Sequence, residues 1–249
     1  MFFKPVKGLL VKAEEIVAKK NIFLSNKDYA ELLFLIGGNL GVLSGEHDTA
    51  YKWLKKCEEF CIENNMEDNL LRVHRKLADV MSHNGQIEEA IELVEQHVDL
   101  SSNIKNRYQV YLLASLGETY RQKKDYSKAY KIFDKLEIIT QEKGLSSWVS
   151  HICLCKALLM TEIGLDFKEV MNYLSKANSQ YCQANHIWGI INSTIVKCLL
   201  YQSNNMELNL EELSEKLELA KKYEYKYETA ILEKILKNEL VQNFRLFLL

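Results

Sequence analysis

The sequence predicts an all-α fold, a right-handed superhelical solenoid built of antiparallel helix pairs. Three observations carry that reading. Glycine and proline are scarce, ten and one in 249 residues, about a third of their ordinary usage, which excludes most folds rich in tight turns. Apolar residues recur at helical spacing almost throughout. Ile87, Ala90, Ile91, Val94 and Val98 fall at i, i+3, i+4, i+7 and i+11, and Tyr126, Ala129, Tyr130, Phe133 and Leu136 make a similar stripe one unit later. Small residues also return at a fixed period, every 39 to 41 positions.

The elements run in order along the chain. Pro5 suits the first turn of a helix, and no proline follows it. The spacing predicts helices near 5–20, 26–43, 46–63, 67–84, 86–100, 104–123, 125–143, 147–164, 166–183, 186–202, 209–223 and 225–246. Breaks fall at polar clusters with cap-forming residues, such as Ser25-Asn26, Asn84-Gly85, Lys124-Asp125 and Gly164-Leu165-Asp166. The links are short, so helices adjacent in sequence are expected to be antiparallel neighbours. The chain is expected to be a single domain over 1–249, with its clearest units at 31–64, 71–100, 110–143 and 151–184.

The units repeat in register. Counted from Gly117, Tyr120, Ala129 and Phe133 stand at offsets 3, 12 and 16. Ala78, Met81, Ala90 and Val94 hold the same offsets, as do Gly38, Gly41, Ala50 and Leu54, and Leu158, Thr161, Val170 and Leu174. The anchors Ala50, Ala90, Ala129 and Val170 are 39 to 41 positions apart, a period characteristic of stacked helical repeats. The physical reason is packing. Small residues let the two helices of a pair approach closely, and the larger residues a turn later fill the space between pairs.

Leu116-Gly117-x-x-Tyr120 with Ala129 and Phe133 resembles the tetratricopeptide repeat (TPR), a helix-turn-helix unit of 34 residues. The likeness is strongest at 110–143, good at 71–100, and weaker at 31–64 and 151–184. Gln141 stands where that repeat ends in proline, and each unit is about five to seven residues longer than 34. The longer unit resembles the repeats of quorum-sensing peptide receptors and of large signalling transcription activators. The resemblance implies a TPR-like solenoid that binds a protein or peptide along its concave face. Such receptors commonly carry an effector segment ahead of their repeats; the repeats here are expected to begin near residue 10, leaving no room for one.

Composition and motifs narrow the function further. The formal net charge is −2, unlike the basic surface that neutralises phosphates, so no direct nucleic-acid binding is expected. The most apolar stretch, 32–43, is too short to span a bilayer as a helix. No secretory signal is read at the start, and six irregularly spaced cysteines read as reduced thiols; a cytoplasmic protein is expected. Gly37-Gly38-Asn39-Leu40-Gly41 lacks the Lys-Ser/Thr ending of a phosphate loop, and Gly37, Gly41 and Gly45 suit close helix packing instead. The pairs Cys57/Cys61, His151/Cys155 and Cys182/His186 share helix faces, yet no C-x-x-C supplies the nucleus of a zinc site. Adjacent glutamates such as Glu58-Glu59 point about 100° apart on a helix and cannot act as an acid/base pair. No enzymatic activity, cofactor or metal is expected.

The first helix of each pair lines the concave face, which by the repeat register carries Leu35, Asn39, Arg72, Arg75, Asp79, Tyr111, Glu118, Arg121, Gln122, Cys155, Leu159 and Glu162. The expected peptide site is Asn39, Arg72, Arg75, Asp79, Tyr111, Glu118, Arg121 and Gln122, because arginine and tyrosine combine contact area with directional polar groups. A carboxylate clamp of the kind some TPR domains use is not expected, since Leu35, Tyr111 and Ser115 stand where it needs basic groups. The reading is therefore a non-enzymatic protein- or peptide-binding module. A peptide-responsive regulatory domain of a transcription or signalling system is the alternative, and a small all-helical enzyme the second. At the other end, helix 225–246 is expected to cap the last pair through Tyr227, Ala230, Ile231, Ile235 and Leu236. The apolar run Phe244-Arg245-Leu246-Phe247-Leu248-Leu249 is expected either to fold back or, by preference, to join a second chain in a homodimer.

Overall fold

The computed structural model describes residues 24–41, 47–98, 107–241 and 244–246, together with Glu15 and Val17. Every regular element among these residues is helical. They form α1 (Asn26–Phe34), α2 (His47–Glu63), α3 (Glu67–His83), α4 (Ile87–Glu95), α5 (Arg107–Gln122), α6 (Tyr126–Glu142), α7 (Ser146–Glu162), α8 (Phe167–Gln183), α9 (Ile187–Ser203), α10 (Leu210–Lys222) and α11 (Lys226–Leu236). The helix expected at 5–20 lies outside the described residues, apart from Glu15 and Val17, both helical.

Most of the turns between helices are made in one way. Asn65, Gly85, Lys124, Gly144, Gly164, Asn185, Asn205, Glu224 and Asn238 all have positive φ. The residue after each donates its N–H to a carbonyl five positions back, as in Met66 to Cys61, Asp125 to Tyr120 and His186 to Tyr181, all at 2.9 Å. This is the Schellman closure of a helix end. Asparagine, lysine or glutamate makes the left-handed turn at six of these positions, so glycine is scarce although turns are not. Several of the following helices then start on a side-chain cap: Asp125 accepts from the Lys128 N–H, Asp166 from Lys168 and Glu169, and Asn209 from Glu212.

The described residues divide into two compact units, one ending at Thr119 and the other beginning at Tyr120. In the first, α1 packs on α2, α2 on α3 and α3 on α4. In the second, the same succession runs from α6 to α11. First helices also meet the first helix of the next pair, as α1 meets α3, α7 meets α9 and α9 meets α11; no comparable packing joins the second helices α6, α8 and α10. Within a unit the first helices therefore lie on the inner side. The register anchors Ala50, Ala90, Ala129 and Val170 are all fully buried.

Two glycines show how close the backbones come. A Cβ on Gly37 would lie 2.9 Å from the Leu54 nitrogen and 3.0 Å from the Ala50 carbonyl oxygen, both fixed backbone atoms of α2. One on Gly189 would lie 2.3 Å from the buried Tyr181 ring. The first case corrects the register. The helix expected over 26–43 is α-helical to Phe34 and then π-helical from Leu35 to Gly41. A π turn takes in an extra residue, so Gly37, and not Gly38, meets the partner helix. Gly38 instead faces Lys76 and Phe34.

The expected final helix is also shorter. It ends at Leu236, where Asn238 turns left-handed and the Glu239 N–H closes on Lys234. Its buried face is Glu228, Ile231, Leu232 and Ile235, with Ala230 turned outward. The helix packs on α9 and α10.

A histidine cluster ties α3 to its neighbours. His74 Nδ1 lies 2.6 Å from His97 Nε2, and His74 Nε2 lies 3.0 Å from Glu58. Burial, with His97 beside it, lowers the His74 pKa below 6.5, and burial lowers that of His97. The unfolded chain therefore binds more protons near pH 6, and stability rises with pH across that window. Urea denaturation should show the protein losing stability as the pH falls from 7.5 to 5.5, and His74→Gln should flatten that dependence. A second expectation concerns packing. Gly37→Ala should destabilise by about 1–3 kcal/mol through overpacking against immovable backbone, read as a lowered denaturation midpoint at unchanged slope.

Candidate functional site

In the first unit the inner helices carry a band of polar side chains. Arg72, Arg75, Lys76 and Asp79 lie three and four positions apart on α3, and Tyr111, Ser115 and Glu118 do so on α5, so each set shares a face. Arg72 reaches back to α1, where it grips both Glu31 oxygens at 2.6 and 3.1 Å and lies 4.3 Å over the Phe34 ring. That grip keeps its guanidinium firmly charged. Forward, Asp79 accepts the Ser115 hydroxyl at 2.5 Å, and Ser82 and Thr119 hydroxyls meet at 3.2 Å.

Charge is deeply placed here. Arg75 is 8% exposed, Lys76 1% and Glu118 3%. Burial pushes the Arg75 guanidinium down, and the Lys76 ammonium down to about 7, with Arg75 beside it adding to the effect. Burial pushes the Asp79 carboxyl up, while Arg75 and Lys76 draw it back. One Asp79 oxygen, Oδ2, is buried and accepts no hydrogen bond among the described residues. Tyr111 is half-buried next to this group. Asn39 sits in the π-helical turn, and its side chain lies outside the described residues.

In the second unit Arg121 is 2% exposed. It pairs with Glu162 of α7 and donates to the Phe244 carbonyl at 2.6 Å. The Arg245 N–H donates to the Tyr227 hydroxyl at 2.9 Å, and the rings of Tyr227 and Phe244 stack at 6.1 Å and 9°. Gln122 is half-buried. Phe244 and Leu246 are 2% and 3% exposed. These two residues fold back onto their own chain, which removes the reason for expecting them to join a second one; Phe247–Leu249 lie outside the described residues. Cys155 and Leu159, expected on an open face, are buried to 1% and 0% exposure, because residues 148–161 of α7 are covered on all sides.

The cysteine and histidine pairs serve packing and capping. Cys57 donates to the Ala30 carbonyl at 3.4 Å, His151 bonds the Tyr181 hydroxyl at 2.6 Å, and His186 accepts the Gly189 N–H at the start of α9. Among the described residues no three histidine, cysteine or acidic side chains are grouped to hold a metal ion. Sequence reasoning missed Lys76 and Lys156. Lys156 is buried on α7 between Asp134, Glu137 and Tyr173, at 2.7, 2.7 and 2.9 Å. Burial opposes its charge, but these bonds outweigh the burial and raise its pKa. Both lysines stand within apolar helical stripes, and the partners of Lys156, on α6 and α8, leave no local signal.

No family model matches the chain. It is 25% identical over 191 residues to a TPR repeat-containing protein of Methanocaldococcus jannaschii, covering 72% of this chain and 32% of that protein. The chain thus spans about a third of the length of that curated relative. Among solved structures it resembles a Rap protein complexed with competence and sporulation factor, with a TM-score of 0.63 and 10% identity, over 94% of this chain and 70% of that one. The first likeness is to a TPR repeat protein and the second is one of fold alone; the chain has an all-helical, TPR-like repeat fold. No helix among the described residues is long and apolar enough to cross a membrane.

Proposed function

We propose that the chain is a non-enzymatic module that holds a peptide or an extended protein segment against the inner helices. One observation carries this reading: Arg75, Lys76 and Glu118 are buried beside an Asp79 oxygen that accepts no hydrogen bond among the described residues. A buried acceptor left unsatisfied in this way costs about 1–3 kcal/mol, which a donor from a bound segment would recover. An extended segment fits its chemistry. Main-chain N–H groups can donate to Asp79 and Glu118, and main-chain carbonyls can accept from Arg75. The half-buried Tyr111 offers a flat apolar area with one hydroxyl. Asn39 and Arg72 complete the proposed surface in this unit, whereas Arg121 and Gln122 of the expected set belong to the second unit. Arg72 and Arg121 hold other parts of the fold as well.

The likeness to a Rap protein complexed with its factor favours a narrower form of this reading, a regulatory module switched by the ligand it holds. All six cysteines are free thiols, which suits work in the reducing cytoplasm.

The test needs a partner, taken by cross-linking and mass spectrometry in the source cell and then titrated as a purified segment. Arg75→Ala and Tyr111→Ala, each shown to fold by circular dichroism, should weaken binding at least about tenfold, or ~1.4 kcal/mol. Lys128→Ala on the second helix α6 should change little. Full affinity in both inner-face variants would overturn the reading.

A further inference from the structure

Phe244, Arg245 and Leu246 are held in the way a bound peptide is held. Exposure alternates along the three residues, with Phe244 and Leu246 buried and Arg245 half-exposed, as in an extended strand of residues laid on a surface. The segment forms no helix. Its main-chain groups are satisfied by side chains: the Phe244 carbonyl by the Arg121 guanidinium at 2.6 Å, and the Arg245 N–H by the Tyr227 hydroxyl at 2.9 Å. Its aromatic ring lies on the Tyr227 ring. Arg121 belongs to α5, the first helix of its pair, and Tyr227 to α11, the helix that follows the last pair.

Side chains that bond main-chain groups read no particular sequence. They accept any segment able to present a carbonyl and the next N–H in the same order. Selectivity comes from the two buried side chains, one aromatic and the other aliphatic, two positions apart. We infer that the Arg121–Tyr227 surface of the second unit is a binding site for an extended peptide of aromatic-x-aliphatic pattern, with Phe244–Leu246 as its resident occupant in cis. The inference rests on the reading that inner helices hold extended segments, and it adds which segment chemistry this unit takes. It also gives the site a threshold. An occupant tethered just beyond α11 competes at a high effective concentration, so an incoming peptide must displace it.

The experiment uses the full chain and a labelled synthetic peptide with the sequence of residues 241–247, followed by fluorescence anisotropy. Phe244→Ala with Leu246→Ala should weaken the resident occupant and tighten binding of the added peptide at least about tenfold over the parent chain. Adding Tyr227→Ala to that variant should abolish binding, as should replacing the phenylalanine and leucine of the peptide that match Phe244 and Leu246 with alanine. Equal binding by parent and double variant, or none by a folded double variant, overturns the inference. A second measurement needs no variant. Hydrogen exchange on the parent chain should find the Arg245 amide protected and should show that protection lost in excess peptide; an amide unmoved by saturating peptide overturns the inference as well. Either failure leaves the Arg75 and Tyr111 test standing, because those residues belong to the first unit, so the two readings fail separately.

Discussion

How near two helix backbones can come governs the rest of this structure. At Gly37 the π-helical turn lies against backbone atoms of α2, and at Gly189 the start of α9 lies against the Tyr181 ring. Ala50, Ala90 and Ala129, fully buried, occupy the matching contacts in successive units. Small residues at these contacts let the two helices of a pair approach closely, and the pattern repeats along the chain. That repetition places the first helices on the inner side of each unit. The inner side then collects whatever polar residues the first helices carry, whether or not burial suits them.

Two buried lysines show the energetic consequence. Lys156 is enclosed by two carboxylates and a phenol, and its charge is secured by hydrogen bonds. Lys76 is as deeply buried, with Arg75 beside it, and its ammonium is pushed down to about 7. Lys156 joins three helices of the second unit, whereas Lys76 lies in a mixed band with Arg75 and Asp79. A carboxylate beside a buried cation favours its charge, and a second cation beside it disfavours it. Burial and charge therefore balance differently at the two lysines.

Much of the fold was legible from spacing. The stripes at Ile87–Val98 and Tyr126–Leu136, and the anchors near every fortieth residue, are consequences of helix geometry and show in a single sequence. The π turn was not legible, because nothing local in Leu35–Gly41 distinguishes bonding five positions along from bonding four, and the one-residue slip between Gly38 and Gly37 results from it. The end of α11 was hidden for a similar reason: apolar residues continue past Asn238, a residue that turns left-handed at little cost. The site was less legible than the fold. Arg75, Asp79 and Tyr111 lie in one unit as their spacing implied, but sequence could not show Arg121 bonding a main chain 123 positions away.

That bond also changes what kind of object the second unit is. Bonds between its successive first helices span about one repeat, 41 positions for Arg121–Glu162 and 40 for Trp188–Glu228. An array joined by such links alone behaves as a one-dimensional chain, whose repeats can melt from either end with small cost to the remainder. Arg121 to Phe244 spans 123 positions and joins the start of the unit to residues beyond its last helix. The line of repeats becomes a loop. In a loop no repeat is terminal, so fraying at one end strains the other, and neighbouring repeats lose their independence. With Phe244 held on Arg121, the repeats of this unit are expected to melt together rather than singly.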